Sequence, residues 1–233
     1  LKKAPIFLNH KNQISYIHSL LNLPPSIDRR EIIQFLPKLN LVSSKLDGFT
    51  KLARFFTKLN VAKLASHLEA NFNENQQVED ILPIKSRDGL KFLYSAIAKL
   101  YETEASNINP YDLSHLAIWQ MGDKFVTPEY VILPGNFSDP IRGNELFDPT
   151  LLIDEKARRF AIEVLGIRVQ DIKEYVKSIL PKYFEEHKIN NDNYADLIEV
   201  LASKTELQDD EESLNNLKVL PLAPTQDGGW GKC

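Results

Sequence analysis

One cysteine, Cys233, stands in a chain of 233 residues, so no disulfide forms within it and no four-thiolate zinc site can be assembled. Glycine is scarce too: nine residues, about half of what an average usage of ~7% supplies. That leaves little material for phosphate-cradling loops, and no Gly-x-x-x-x-Gly-Lys-Ser/Thr run occurs. No apolar stretch approaches the ~18–20 residues that a membrane-spanning helix needs. The histidines His10, His18, His67, His115 and His187 are isolated, with no two at metal-ligand spacing beside a carboxylate. Ser66-His67 and Ser114-His115 are adjacent pairs whose side chains diverge on any regular element, and neither sits in a glycine elbow. No catalytic, cofactor-binding or metal-binding residue is expected.

What is present is ordinary for a globular protein: 43% hydrophobic, 26% charged and 9% aromatic residues, which excludes wholesale disorder. The net charge of -4 conceals an asymmetry. Residues 1–70 carry 11 Lys+Arg against 4 Asp+Glu, whereas 71–233 carry 17 against 28. A basic first part predicts an anionic partner or an acidic neighbour in the same polypeptide. Lys45, Lys51, Arg54, Lys58 and Lys63 are the candidate polyanion-binding residues, since phosphate contacts need only lysine and arginine. Phe49, Phe55 and Phe56 fall at core spacing, which leaves few aromatics to stack on bases. A solvated helix face is the plain alternative.

The expected fold class is helix-dominated α+β, with helical bundle segments and small antiparallel β-hairpins. Pro5 favours an extended start over residues 1–8. Ile14, Ile17, Leu20 and Leu21 predict a helix over 11–22, and Asp28 with Glu31 a capping-box start that ends at Pro37. Leu46, Leu52, Ala53, Phe56 and Leu59 predict a helix from Ser44, with a second through Val61, Leu64 and Leu68. Asp88 is expected to cap a helix through Leu90 to Tyr101, and the turn formers 107–110 mark an internal boundary. This divides a mostly helical, basic-to-neutral region, 1–108, from an acidic region, 109–233, of β-hairpin and helix.

In that second region a hairpin is expected around Gly122-Asp123, then strands at 130–133 and 151–153. The proline- and glycine-containing stretch 134–149 is a long loop of the kind that often carries function. Asp154 caps the next helix and Gly166 closes it; Pro181 kinks or divides a longer one over 169–187. Asn191 or Asp192 starts another. Asp209 to Glu212 sit where a helix N-terminus favours negative charge, and residues 217–224 read as extended.

Three places share a pattern. Leu1-Lys2-Lys3-Ala4-Pro5-Ile6-Phe7 matches Leu217-Lys218-Val219-Leu220-Pro221-Leu222, and Asp227-Gly228-Gly229-Trp230 matches the turn Trp119 to Phe125. A strand, a proline, a Gly/Asp turn and an aromatic resemble a recurring element of large sacsin-like proteins. Lys124-Phe125-Val126-Thr127-Pro128-Glu129-Tyr130-Val131 and Leu165-Gly166-Ile167 also look like that family. The resemblance implies a cytoplasmic protein whose GHKL-type ATPase lies elsewhere, this chain being a middle segment. A start at Leu1 without methionine and a stop just after Gly228-Gly229-Trp230-Gly231 are expected of such an excised piece, simple processing being the alternative. Two unrelated hairpins in an α+β protein remain the generic reading.

Asp227 to Gly231 also has the D-x-G-x-G spacing of the GHKL adenine site, but Glu212 and Asn216 stand too close, across a proline-rich stretch, to be that site's preceding helix. It is read as a hairpin turn. Glu145 and Asp148 with Asp123-Lys124 resemble a nuclease set, but lack the large sheet edge such a set needs. The expectation is a noncatalytic scaffold or regulatory segment that contacts other domains of its polypeptide or protein partners, with no membrane role. A nucleic-acid-binding module using the basic helices is the alternative, and an enzyme site in the 134–149 loop the third reading.

Overall fold

The computed structural model describes residues 5–46, 50–69, 83–104, 111–141, 145–186, 191–224 and 230–231. It is helix-dominated α+β, with five two-stranded sheets among the described residues. The chain forms two compact units. The first comprises 1–119, 125–129 and 150–166; the second comprises 120–124, 130–149 and 167–233. The boundary expected at 107–110 lies outside the described residues.

The first unit begins with β1 (Pro5–Leu8) paired antiparallel to β2 (Ile14–Tyr16). A helix was expected over 11–22, but the hydrogen bonds of Asn9 override that periodicity. Its Oδ1 accepts from the N–H groups of Lys11 and Gln13, both at 2.9 Å, while Asn12 takes φ 59°, so the chain turns back. Asn9 Nδ2 also donates to Asn40 Oδ1 at 3.1 Å. A 3₁₀ turn, Ile17–Ser19, leads to β3 (Leu21–Asn22). Asp28 then starts α1 (Arg29–Phe35) as expected, accepting from the N–H groups of Arg30 and Glu31.

The helix expected from Ser44 is interrupted. A 3₁₀ turn, Ser44–Leu46, precedes α2 (Thr50–Ala53), and β4 (Thr57–Lys58) then pairs parallel to β3. Tertiary pairing of Leu21 with Thr57 and Asn22 with Lys58 wins over local helical spacing. In α3 (Val61–Glu69), Val61, Leu64, Ala65 and Leu68 are buried at helical spacing. In α4 (Arg87–Glu104) the first turn is capped by Ser86, whose Oγ accepts from Gly89 N at 3.1 Å, so Asp88 lies inside the helix. Gly89 is required: a Cβ there would lie 2.3 Å from the Pro83 carbonyl oxygen. After α5 (Tyr111–Ser114), Trp119 stacks on Tyr94 (4.6 Å, 6°), whose hydroxyl donates to the Ile118 carbonyl at 2.9 Å.

β5 (Trp119–Met121) and β6 (Lys124–Val126) pair around Gly122, φ 53°. Residues 149–151 form a 3₁₀ turn, not the expected strand. Asp154 caps α6 (Glu155–Arg159) through Ala157 N at 2.6 Å and accepts from the Ser95 hydroxyl at 2.7 Å. A π turn, Phe160–Val164, follows, and Gly166 closes the helix at φ 68°.

In the second unit β7 (Ile132–Leu133) pairs parallel to β8 (Arg168–Val169); residues 128–130 are a 3₁₀ turn where strand was expected at Tyr130. Asp171 caps α7 (Ile172–Glu174), which passes through a π turn, Tyr175–Ile179, into α8 (Leu180–Glu186). The widened turn lies just before Pro181, whose missing N–H breaks the ordinary i→i+4 ladder. Then come α9 (Asn191–Ser203), α10 (Thr205–Gln208) and α11 (Glu211–Val219), the last capped by Asp210 and continuing through residues expected to be extended. β9 (Ala223–Pro224) pairs antiparallel to β10 (Trp230–Gly231). The core of this unit is Tyr175, Val176, Leu180, Leu197, Leu207 and Leu222, with Phe137 from the 134–149 loop.

Candidate binding surface

The β1–β2 hairpin has two unlike faces. Phe7 turns inward and meets Phe56 edge-on at 5.2 Å, beside a cluster of Leu20 and Val42. Leu8 and Ile14 are direct cross-strand partners, so they share the opposite face, and Tyr16 joins them two residues on from Ile14. That face is open to solvent: Leu8 is 37%, Ile14 69% and Tyr16 47% exposed. Tyr16 is held by stacking on His18, 5.6 Å between ring centres. The residues missed as a surface carried one signal, the alternation Ile14-Ser15-Tyr16 just after the turn-forming Asn12.

Of the candidate cationic residues, Lys45 lies on the Ser44–Leu46 turn, Arg54 directly after α2, Lys58 on β4 and Lys63 on the outer face of α3; all four are exposed. The side chain of Lys51 lies outside those described. Phe55 departs from its expected core position. The helix stops at Ala53, and i→i+3 bonds from Phe55 N to Leu52 and from Phe56 N to Ala53 turn the chain tightly. Phe56 is buried, whereas Phe55 is 53% exposed with the Arg54 guanidinium 4.9 Å above its ring. Two imidazoles in this region are held below the ordinary histidine range. Burial is the main cause for both, followed by Lys11 and Arg29 around His10 and by Lys38 near His67.

Next to these cations runs an open trough of about 380 Å³. Phe56, Val42 and Ile27 form its buried floor, with Pro24, Leu46 and Ala53 along its sides. Arg29 lines it directly, its Nη1 donating to the Val42 carbonyl at 2.6 Å. Lys45 adjoins Leu46, Arg54 adjoins Ala53, and Lys58 pairs across the strands with the lining residue Asn22. Lys63 has no such link. A second groove, about 250 Å³, lies between α1 and α4 over the stacked rings of Phe35 and Phe92, with Asp28, Glu31 and Lys91 among its lining.

The 134–149 loop is anchored to its own unit. Phe137 packs on Tyr175 at 5.1 Å, Asp139 accepts from the Tyr175 hydroxyl at 2.7 Å, and Lys204 Nζ donates to the Asn136 carbonyl at 2.8 Å. Burial, and then Asp139, pushes the Tyr175 phenol far above its ordinary range, so it is a neutral structural donor. The Ser66 hydroxyl donates to the Ala62 carbonyl at 3.0 Å, and His115 Nε2 lies 2.9 Å from Glu69 Oε1. Among the described residues no three His, Cys, Asp or Glu side chains are placed to hold one metal ion, and no helix is long and apolar enough to cross a membrane. Residues 225–229, where the D-x-G-x-G run begins, lie outside the described residues.

Comparison with protein-family models, with curated proteins and with solved structures finds no match to the chain.

Proposed function

We infer that this chain is a noncatalytic contact segment of a larger sacsin-like ATPase protein, binding other domains of its polypeptide or protein partners. The observation that carries the contact reading is the outward face of Leu8, Ile14 and Tyr16, three large apolar side chains held side by side on a hairpin whose other face is already packed. Scattered exposed hydrophobics need no explanation, whereas a contiguous set on a rigid element marks an interaction surface. The sacsin-like context rests on the sequence patterns at 119–131 and 217–230.

A photo-crosslinking residue at position 14 of the full polypeptide tests the contact reading. Adducts that map to one defined protein surface support it; adducts no more abundant than from the exposed position 163 contradict it. A GHKL module in the flanking reading frame supports the family context, and its absence contradicts that part alone. Strong thermal stabilisation by nucleotide or by a divalent metal overturns the noncatalytic claim.

The second reading, a polyanion-binding module, is favoured by one observation: Phe55 stands exposed beneath the Arg54 guanidinium. Aromatic faces beside cations are what single-stranded nucleic acid uses. Oligonucleotide binding that falls steeply with salt and disappears on charge reversal at Lys51, Arg54 and Lys58 supports it; salt-independent or absent binding rejects it.

A further inference from the structure

Resting on the protein-contact reading, we propose that the trough between Pro24-Pro25 and α2 binds an acidic peptide segment of a partner polypeptide that carries aliphatic anchors between its carboxylates. The floor is apolar and already desolvated, and its volume of about 380 Å³ accepts a few side chains, at the low end of the ~300–1,000 Å³ of ligand sites. The sides are Leu46, Ala53 and prolines. Pro24 and Pro25 have no N–H to offer a pairing strand, so recognition here falls to side chains.

Charge fixes the sign of the partner. Arg29 lines the trough, with Lys45, Arg54 and Lys58 each one step in sequence or strand register from a lining residue. Of the two carboxylates one step in sequence from a lining residue, Asp28 is committed to the first turn of α1 and lines the other groove, and Asp47 lies outside the described residues. The four cations outnumber them. A nucleic acid matches this place poorly. Phosphates gain nothing from an apolar floor, and the ring in that floor, Phe56, is buried edge-on against Phe7 and offers no face for a base. Carboxylates drawn to Arg29 and the neighbouring cations, with aliphatic side chains on the floor, use both features together.

The test is fluorescence anisotropy with the whole chain and a labelled peptide in which Glu alternates with Leu. A Glu/Ser peptide of equal charge and an oligothymidylate serve as comparators. The Glu/Leu peptide binds, and the paired surface variant Arg54→Glu with Lys58→Glu weakens it about tenfold or more. Ala53→Met fills the trough without altering charge and weakens binding to a similar extent; Leu46→Ala, which removes one side, serves should Ala53→Met not fold.

Equal affinity for the Glu/Ser peptide overturns the proposal, because the floor then contributes nothing. So does an unchanged affinity in the variants. Displacement of the peptide by oligothymidylate at lower concentration than by unlabelled Glu/Leu peptide overturns it in favour of a polyanion site. Self-association of the chain that Arg54→Glu with Lys58→Glu abolishes overturns it in favour of a second copy. No peptide binding, with crosslinking from position 14 intact, removes this proposal and leaves the contact reading standing; loss of both removes both.

Discussion

The hydroxyl of Tyr175 donates to Asp139 Oδ1 across 2.7 Å, joining the first residue of a π turn to the loop expected to be free for function. Tyr175 is fully buried, with Phe137 against its ring. The loop is therefore part of the second unit's packing. Tyr175→Phe is expected to cost about 1 kcal/mol in urea unfolding, the ordinary worth of one hydrogen bond. The phenol is held above its ordinary value, so its contribution is complete below about pH 10 and is lost as pH rises and the unfolded chain ionises. The phenylalanine variant should lose that alkaline sensitivity; an unchanged alkaline transition counts against the assignment.

Two glycines separate close approach from backbone conformation. A Cβ on Gly135 would lie 2.1 Å from the Gln170 carbonyl oxygen, a backbone atom that cannot swing aside as the end of a flexible side chain can. Gly135→Ala should destabilise by about 1–3 kcal/mol. Gly166 has φ 68° and open space around it, so Gly166→Ala should cost only about 1 kcal/mol. Equal costs in chemical denaturation would deny the close contact.

Gln170 itself is 5% exposed, and neither its amide nitrogen nor its amide oxygen reaches a hydrogen-bond partner among the described residues. A buried polar group without a partner is costly, and an apolar group of like shape removes the cost. Gln170→Met should raise stability by about 1–2 kcal/mol in thermal unfolding. A loss of stability would mean that the amide is satisfied.

Asp210 caps α11 through Ser213 N at 2.9 Å and pairs with Lys177 at 3.2 Å, which ties α11 to the π turn of residues 175–179. The hydrogen bonds from Ser213, with Lys177 beside them, hold its carboxyl well below the usual aspartate range. Its contribution is therefore complete above about pH 4 and is lost on further acidification. Asp210→Ala should lower the melting temperature at pH 7 and flatten the acid transition; Asp210→Asn should retain part of the cap. A melting temperature equal to the parent's in both variants would remove the cap from the account.

Local chemistry made some of this fold legible. Asp28 and Asp154 each cap the helix that their positions announce, the acidic run 209–212 opens one, and Gly166 stops one, because a cap involves only three or four neighbouring residues. The misreadings came from distant partners. Ile14, Ile17 and Leu20 fit a helical period, but Asn9 binds the N–H groups of Lys11 and Gln13 and turns the chain into a hairpin, which Asn40 and Phe56 then hold from afar. Likewise Thr57 and Lys58 leave the helical pattern to pair with Leu21 and Asn22. The same two departures create the candidate surface: the hairpin exposes Ile14 and Tyr16, and the broken helix exposes Phe55 while Phe56 floors the trough. The cationic residues could be named from composition, but what they surround could not.

The central claim is that the face of Leu8, Ile14 and Tyr16 makes a protein contact. The direct measurement is the yield of the position-16 photo-crosslink in the full polypeptide, with and without Leu8→Lys and Ile14→Lys. Both positions are exposed, so the melting temperature should stay within about 2 °C of the parent. The account predicts that the mapped adduct falls at least about tenfold in the double variant. An adduct of undiminished yield, with the melting temperature unchanged, would contradict it.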